Sequence, residues 1–213
     1  MAVEQKAVSK KKWITIVAPQ FLGSEVIGET LALEPKALMG RYVTTSLAAL
    51  TGDMKQHSVN VKLKVTSVED STAHTEVFGF EMSPSAIKRL VRRNSDRLDD
   101  SFVCSTADGK ALRLKPVMLT ASKTTGAVEK ALRHKMIALV ARETKALPYE
   151  EVVKSILSYK LQSTIRSLLR KTFPVKYFEI KRFEQARRGK PVVVVNEVQE
   201  PAPEDEQPGA AEA

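Results

Sequence analysis

Apolar and polar residues alternate along this chain in two different rhythms, and the change between them divides it. From Trp13 to Met82 the apolar residues come in short runs rich in β-branched side chains, each cut off by turn chemistry. "WITIVA" stops at Pro19, "VIGETLAL" at Pro35, and "GRYVTTSLAAL" at Thr51-Gly52-Asp53. "SVNVKLKV" alternates with a period of two, with Val59, Val61, Leu63 and Val65 on one side and Lys62 and Lys64 on the other. That pattern predicts a strand with one buried face and one face turned to solvent or a ligand. "TAHTEVFGFEM" follows a short polar break, so the two runs read as a hairpin.

Ser83-Pro84 then supplies a helix start, because serine can cap and proline suits the first turn. The spacing predicts a helix over residues 84–97, striped by Ile87, Leu90, Val91 and Leu98, with Lys88, Arg89, Arg92 and Arg93 over the rest of its surface. Strands resume in "DSFVCSTADGKALRLKPVMLTA", where Asp108-Gly109 is a strong hairpin signal. From Thr125 to Phe173 the period lengthens to that of a helix. Val128, Leu132, Met136, Leu139 and Glu143 line up on a helix over 125–147. Val153, Ile156, Leu157, Leu161, Ile165, Leu168 and Leu169 stripe a second over 149–173, with Pro148 at the break. "VKYFEIKRFE" returns to strand character, and "PVVVVNEV" is a last apolar run. The pattern predicts an α+β fold with six or more strands and a helical pair inserted late. The expected organisation is a basic arm over 1–12, a single α+β domain over 13–196, and a disordered acidic tail over 197–213.

Charge sharpens this picture. The chain has 34 lysines and arginines against 25 acidic residues, a formal +9. Six of the acids and none of the bases lie in the last 17 residues, so residues 1–196 carry +15. A body that cationic is expected to sit against a polyanion, most often nucleic acid. The cations fall into three clusters. Lys10, Lys11 and Lys12 precede Trp13, and Lys88, Arg89, Arg92 and Arg93 crowd the first helix. Arg166, Arg170, Lys171, Lys176, Lys181, Arg182, Arg187, Arg188 and Lys190 form the third. One such cluster is often only a solvated helix face. Three together point to phosphate contacts. Aromatics make up only 6% of the chain, and no aromatic RNA-binding signature is present. Contact through phosphates and shape is therefore expected, rather than base stacking on a sheet as the main mode of binding.

The residues that could do covalent or metal chemistry are few. His57, His74, His134 and Cys104 have no ligand spacing, so no metal site is expected. His74 reads as a strand residue and Cys104 as a core thiol. Asp99-Asp100 offers two carboxylates, but neighbours in sequence seldom face one site, and a solvated turn is the simpler reading. "GSEVIGET" matches the glycine spacing of a phosphate loop, but Glu29 stands where the motif needs lysine. The following residues are β-prone and stop at Pro35, so the required helix is missing as well. No catalytic residue, cofactor or nucleotide is expected. Nor is a membrane: there is no apolar run of spanning length, and the single cysteine fits a reducing cytoplasm.

Four ordered blocks then carry a specific likeness: "KKKWITIVAP", "VIGET", "LMGRYVTTSLAALTGD" and "STADGKALRLKPVMLT", with a weaker fifth in "KMIALVARETKALPYEEVVKSIL". Together they resemble the small-subunit ribosomal protein family called S-three-a or eukaryotic-type S-one, in its archaeal form. The resemblance implies a β-barrel-like body with accessory helices, and Gly28, Gly40 and Gly109 as turn or bulge glycines. It also implies a structural constituent of the small ribosomal subunit, bound to ribosomal RNA on the platform. There it would lie near the mRNA exit and the RNA 3′ end, beside neighbouring platform proteins and within reach of mRNA. The other reading of the same cationic surfaces is a free RNA-binding translational regulator.

Overall fold

The computed structural model describes residues 11–69 and 71–186. Lys10, Arg187, Arg188, Lys190, the "PVVVVNEV" run and the acidic tail lie outside the described residues. Strand β1 (Lys12–Val17) pairs antiparallel with β2 (Val26–Ala32). A short turn between them is closed by Gly23 in the left-handed region, φ 96°. Ile16 opposes Gly28 and Val17 opposes Val26, so Gly28 borders a bulge. Strand β3 (Tyr42–Ser46) runs into the short helix α1 (Leu47–Thr51), whose first turn is capped by the Ser46 hydroxyl. The long hairpin β4 (Val59–Glu69) and β5 (Thr72–Met82) is as the alternation predicts: Val59, Val61, Leu63 and Val65 are buried.

Helix α2 starts at Pro84 under the Ser83 cap but ends at Leu90, well short of residue 97. Val91 is already extended and Asn94 takes a left-handed turn, φ 63°. Leu98 therefore belongs to strand β6 (Arg97–Asp99), where it is buried opposite Met118. The turn is fixed by Asp96: its carboxylate accepts from the Thr124 backbone N–H at 2.6 Å, and its own N–H donates to the Thr120 hydroxyl at 2.8 Å. An open sheet edge captured a stretch that period alone assigned to the helix. Strand β7 (Phe102–Ser105) and strand β8 (Ala111–Thr120) form the hairpin marked by Asp108-Gly109, with Gly109 at φ 72°.

Helix α3 (Gly126–Ala146) is as expected, with Leu132, Met136 and Val140 buried. The second helix is two: α4 (Tyr149–Leu157) and α5 (Lys160–Arg170). Tyr159 breaks the axis at φ 59°, and the Ile156 carbonyl at the break accepts from both the Tyr159 N–H at 3.2 Å and the Gln162 amide at 2.9 Å. The apolar stripe continues through it, with Val153, Ile156, Leu157, Leu161, Ile165 and Leu169 all buried, which is why periodicity shows no interruption. Strand β9 (Val175–Gln185) is the last element among the described residues.

The nine strands among the described residues join one sheet, mostly antiparallel, whose path β2-β1-β5-β9-β8-β6 does not close on itself. The fold is thus α+β, and its sheet is open rather than closed into a barrel. On one side of β5 lies β4; the other side is shared, β1 pairing in parallel with Thr72–His74 and β9 antiparallel with Gly79–Glu81. The inward side chains of the sheet, among them Phe80, Leu114, Phe178 and Phe183, merge with Met136, Ile156, Ile165 and Leu169 of the helices in the main core. Phe80 and Phe183 stack across β5 and β9 at 5.5 Å. A smaller core of Ile14, Ile16, Ala32, Leu38, Val65 and Ala73 lies under β1 and β2. Cys104 is buried, and burial pushes its thiol up to about 11 against a hydrogen bond with Thr144, as suits a core thiol.

Two features at β9 are sensitive to small changes. A Cβ at Gly79 would lie 2.6 Å from the Phe183 carbonyl oxygen, so only glycine lets β9 lie against β5 there. Glu179 is half-buried; burial pushes its carboxyl up to about 7, while the nearby Arg166 charge pulls it down. Gly79→Ala is expected to lower stability by about 1–3 kcal/mol, read by urea unfolding. An unchanged midpoint would show that β9 can shift at no cost. For Glu179 the protonated form is favoured by folding. Its contribution is complete below the ordinary carboxyl range and lost as pH rises through about 7. Glu179→Gln is therefore expected to be more stable than wild type by roughly 2 kcal/mol at pH 8, the gap closing toward pH 5. A gap independent of pH, in melts across that range, would contradict it.

Candidate nucleic-acid interface

With α3, α4 and α5 packed into the core on one side, the opposite side of the sheet presents its polar residues. Cross-strand register places them together. Tyr42 opposes Lys64 and Thr44 opposes Lys62 between β3 and β4; Lys62 opposes Gly79 and Lys64 opposes Glu76 between β4 and β5. On the far side, Glu81 opposes Arg182 and Gly79 opposes Glu184; Lys115 opposes Arg182 and Arg113 opposes Glu184. Five cations and three carboxylates thus share one face. This follows from elementary strand geometry: directly opposed residues point to the same side.

Glu184 is the hub of that face. It accepts from Lys62 at 3.2 Å and from the Arg182 guanidinium, which also lies 3.8 Å from Glu81. Burial alone would raise the Glu184 carboxyl, but the hydrogen bonds and charges of Arg182 and Lys62 outweigh it and hold it below the ordinary range. Arg182 is correspondingly held high, first by its hydrogen bond to Glu184. Lys64, Arg113 and Lys115 make no ion pair or side-chain hydrogen bond among the described residues. The face therefore holds a net positive charge with three cations available to a ligand.

Strand β5 bulges at this place. Lys62 opposes Gly79 and Leu63 opposes Val77, leaving Phe78 as the extra residue. Its ring meets that of Tyr42 edge to face at 4.9 Å. Tyr42, Thr44, Lys62, Phe78, Arg113 and Glu184 line an open groove here.

Apart from Arg182, the described cations of the clusters picked out in the sequence lie elsewhere. Lys11 and Lys12 are exposed beside Trp13, which is 62% exposed at the start of β1. Lys88 and Arg89 occupy the last turn of α2, where the helix dipole favours them, and Arg92 and Arg93 lie exposed in the loop beyond. The third cluster is split by the fold. Lys171 and Lys176 are exposed, and Arg170 is exposed while its Nε donates to the Val175 carbonyl at 3.3 Å. Arg166 is turned over the Tyr177 ring, 5.8 Å from its centroid, beside Glu179. Lys181 sits half-buried at a β9 bulge, and Arg182 is tied into the sheet-face network.

Sequence reasoning passed over Arg113 and Lys115, whose signal was the alternation Leu112-Arg113-Leu114-Lys115. It also passed over the exposed Lys130, Arg133, Lys135, Arg142 and Lys145 of α3. Arg133 faces Asp100 at 3.9 Å, and Lys135 donates to the Thr172 hydroxyl at 2.7 Å.

"GSEVIGET" is settled by its geometry. Glu29 is exposed in β2 opposite Thr15, and Thr30 accepts from Arg41 at 2.8 Å, so the segment is a strand and presents no helix N-terminus to a phosphate. Among the described residues, no group of three histidine, cysteine or acidic side chains could hold a metal. No described helix is long and apolar enough to cross a membrane.

The family model described as the ribosomal S3Ae family matches residues 2–188. Archaeal relatives bearing the name small ribosomal subunit protein eS1 align over nearly their whole length. That of Desulfurococcus amylolyticus is 32% identical over 93% of this chain and 98% of its own. That of Halorubrum lacusprofundi is 32% identical over 92% and 93%, and that of Archaeoglobus fulgidus 30% over 95% and 92%. The match spans both the described fold and its cationic face: this chain belongs to the ribosomal S3Ae family.

Proposed function

We propose that this protein is a structural constituent of the small ribosomal subunit and supports translation by holding folded ribosomal RNA, without catalysis of its own. The observation that carries the reading is the division of the sheet: one side merges with the helical core, and the other gathers Lys62, Lys64, Arg113, Lys115 and Arg182. Relatives that align end to end carry a small-subunit name, which supports the same assembly for this chain. We place it on the platform, near the mRNA exit and the RNA 3′ end, among neighbouring platform proteins, as the family resemblance implies. mRNA leaving the subunit would pass within its reach.

In this reading Lys10, Lys11, Lys12, Lys88, Arg89, Arg92, Arg93, Arg170, Lys171, Lys181, Arg187, Arg188 and Lys190 contact phosphate, joined by Lys64, Arg113 and Lys115. Arg166 packs over the Tyr177 ring with its charge near Glu179, and Arg182 is tied to Glu184, so both contribute less to RNA contact than the exposed cations.

Sedimentation of a cell lysate through a high-magnesium gradient is the direct test. The protein is expected in the small-subunit fraction. Its confinement to the ribosome-free fractions, with discrete mRNAs attached, would favour the regulator instead. Neutralising Lys171, Arg113 or Lys115 to glutamine is expected to flatten the salt dependence of RNA binding by about one unit of log–log slope for each lost phosphate contact. Arg166→Gln is expected to lower thermal stability and leave that slope nearly unchanged. The reverse assignment, slope lost at Arg166 and kept at Lys171, would contradict the split of this cluster between packing and binding.

A further inference from the structure

The outer sheet face holds something that phosphate binding does not require. Tyr42 and Phe78 meet ring to ring on a polar surface, Tyr42 being 39% exposed, in a chain with only seven phenylalanines, four tyrosines and one tryptophan. Apolar rings on that side contribute nothing to the core under the helices. Phe78 is there because β5 bulges, and the groove runs past its ring and that of Tyr42 to Lys62, Arg113 and Glu184. Lys62 and Arg113 stand along the groove, and Lys64 and Lys115 lie one strand position away from them on the same face. Arg113 has no carboxylate partner among the described residues.

From this arrangement we infer that the groove is a site for a single unpaired RNA nucleotide, its base lying against the Tyr42–Phe78 pair and its flanking phosphates on Arg113 and Lys64. The chemistry fits in each part. A nucleobase offers a flat face to an aromatic side chain whatever its identity, so the site is tolerant of sequence. Phosphates on either side of that base meet cations fixed by strand register rather than by flexible loops. Paired RNA cannot enter in this way, because its bases are already stacked within the helix. The groove selects an unpaired base at a bulge, loop or strand end, while the exposed helix and loop cations engage the folded RNA around it. Glu184 limits the charge of the floor and fixes Lys62 and Arg182, so the rim cations, not the floor, carry the phosphate contact. The inference rests on the RNA-binding reading and refines it: phosphate contact stays the main mode of binding, and one base-stacking site on the sheet is added to it.

The test uses the full-length protein, a short fluorescein-labelled oligouridylate, and a blunt RNA duplex as comparator, followed by fluorescence anisotropy across a salt series. Tyr42→Leu and Phe78→Leu remove the flat ring while keeping an apolar side chain of useful volume, so the bulge is preserved. Each is expected to weaken oligouridylate binding at least about fivefold. The salt slope and the duplex affinity should stay at wild-type values. Arg113→Gln should instead flatten the slope. Substituting 4-thiouridine into the oligonucleotide should yield photo-adducts on Tyr42 or Phe78. Equal losses for both RNAs, no loss for either, or adducts wholly outside the groove would overturn the inference. So would crosslinks showing the groove filled by a protein segment, the chain's own acidic end included. Should the wild type bind duplex with a steep salt slope and ignore both leucine substitutions, this site falls while the RNA-binding reading stands. Loss of all salt-dependent binding in the wild type would fell both.

Discussion

One strand edge governs this molecule. The edge of β5 away from β4 is divided between two strands, β1 over Thr72–His74 and β9 over Gly79–Glu81. The amino-terminal hairpin and the carboxy-terminal half of the sheet meet only because both fit along that edge. The fit at the second segment depends on Gly79, whose missing Cβ admits the Phe183 carbonyl. Phe80 and Phe183 stack beneath it, and Glu184 and Gly79 stand opposite each other above. Packing on one side and charge on the other therefore share a single point of backbone contact. A change that moved β9 away from β5 would disturb the main core and the cationic face at once.

The cationic face is organised rather than merely positive. Strand register brings Lys62, Arg113 and Arg182 around Glu184, and a carboxylate held ionised by two cations is a stable counter-charge at neutral pH. Partial neutralisation has a physical purpose. Five cations on one sheet face would repel each other; with Glu184 and Glu81 between them they can be held at fixed spacing. What remains unpaired lies at the rim, where a phosphate backbone can reach it. The exposed cations of α2 and of the turn after α5 extend the positive surface beyond the sheet.

Much of the fold was legible in the sequence, for local reasons. Alternation marked β4, Asp108-Gly109 marked the β7–β8 hairpin, and the stripe of Leu132 and Met136 marked α3. Each of these signals is written within a short stretch of chain. The helix read over 84–97 was overdrawn because Leu98 satisfies two patterns, a helical stripe and a buried strand. Pairing with Met118 of β8 decided between them, and that partner lies outside any local window around Leu98. The break at Tyr159 was invisible because the apolar stripe runs through it and a glutamine side chain, not glycine or proline, supports it. The candidate interface was harder still to read. Basic clusters in sequence found α2, the arm and the β9 region, yet the sheet face draws one or two cations from each of β4, β8 and β9, strands far apart along the chain. The Tyr42–Phe78 pair had no signal at all, since it exists only through pairing and a bulge.

The most direct test of the account is RNA–protein photo-crosslinking of intact small subunits, with the RNA-linked peptides identified by mass spectrometry. RNA adducts are expected on peptides from β4 and β8, at or beside Lys64, Arg113 and Lys115, while the buried stretch of α4 remains unlinked. Adducts confined to the helices, with the outer face of the sheet free of RNA or bound to protein alone, would contradict it.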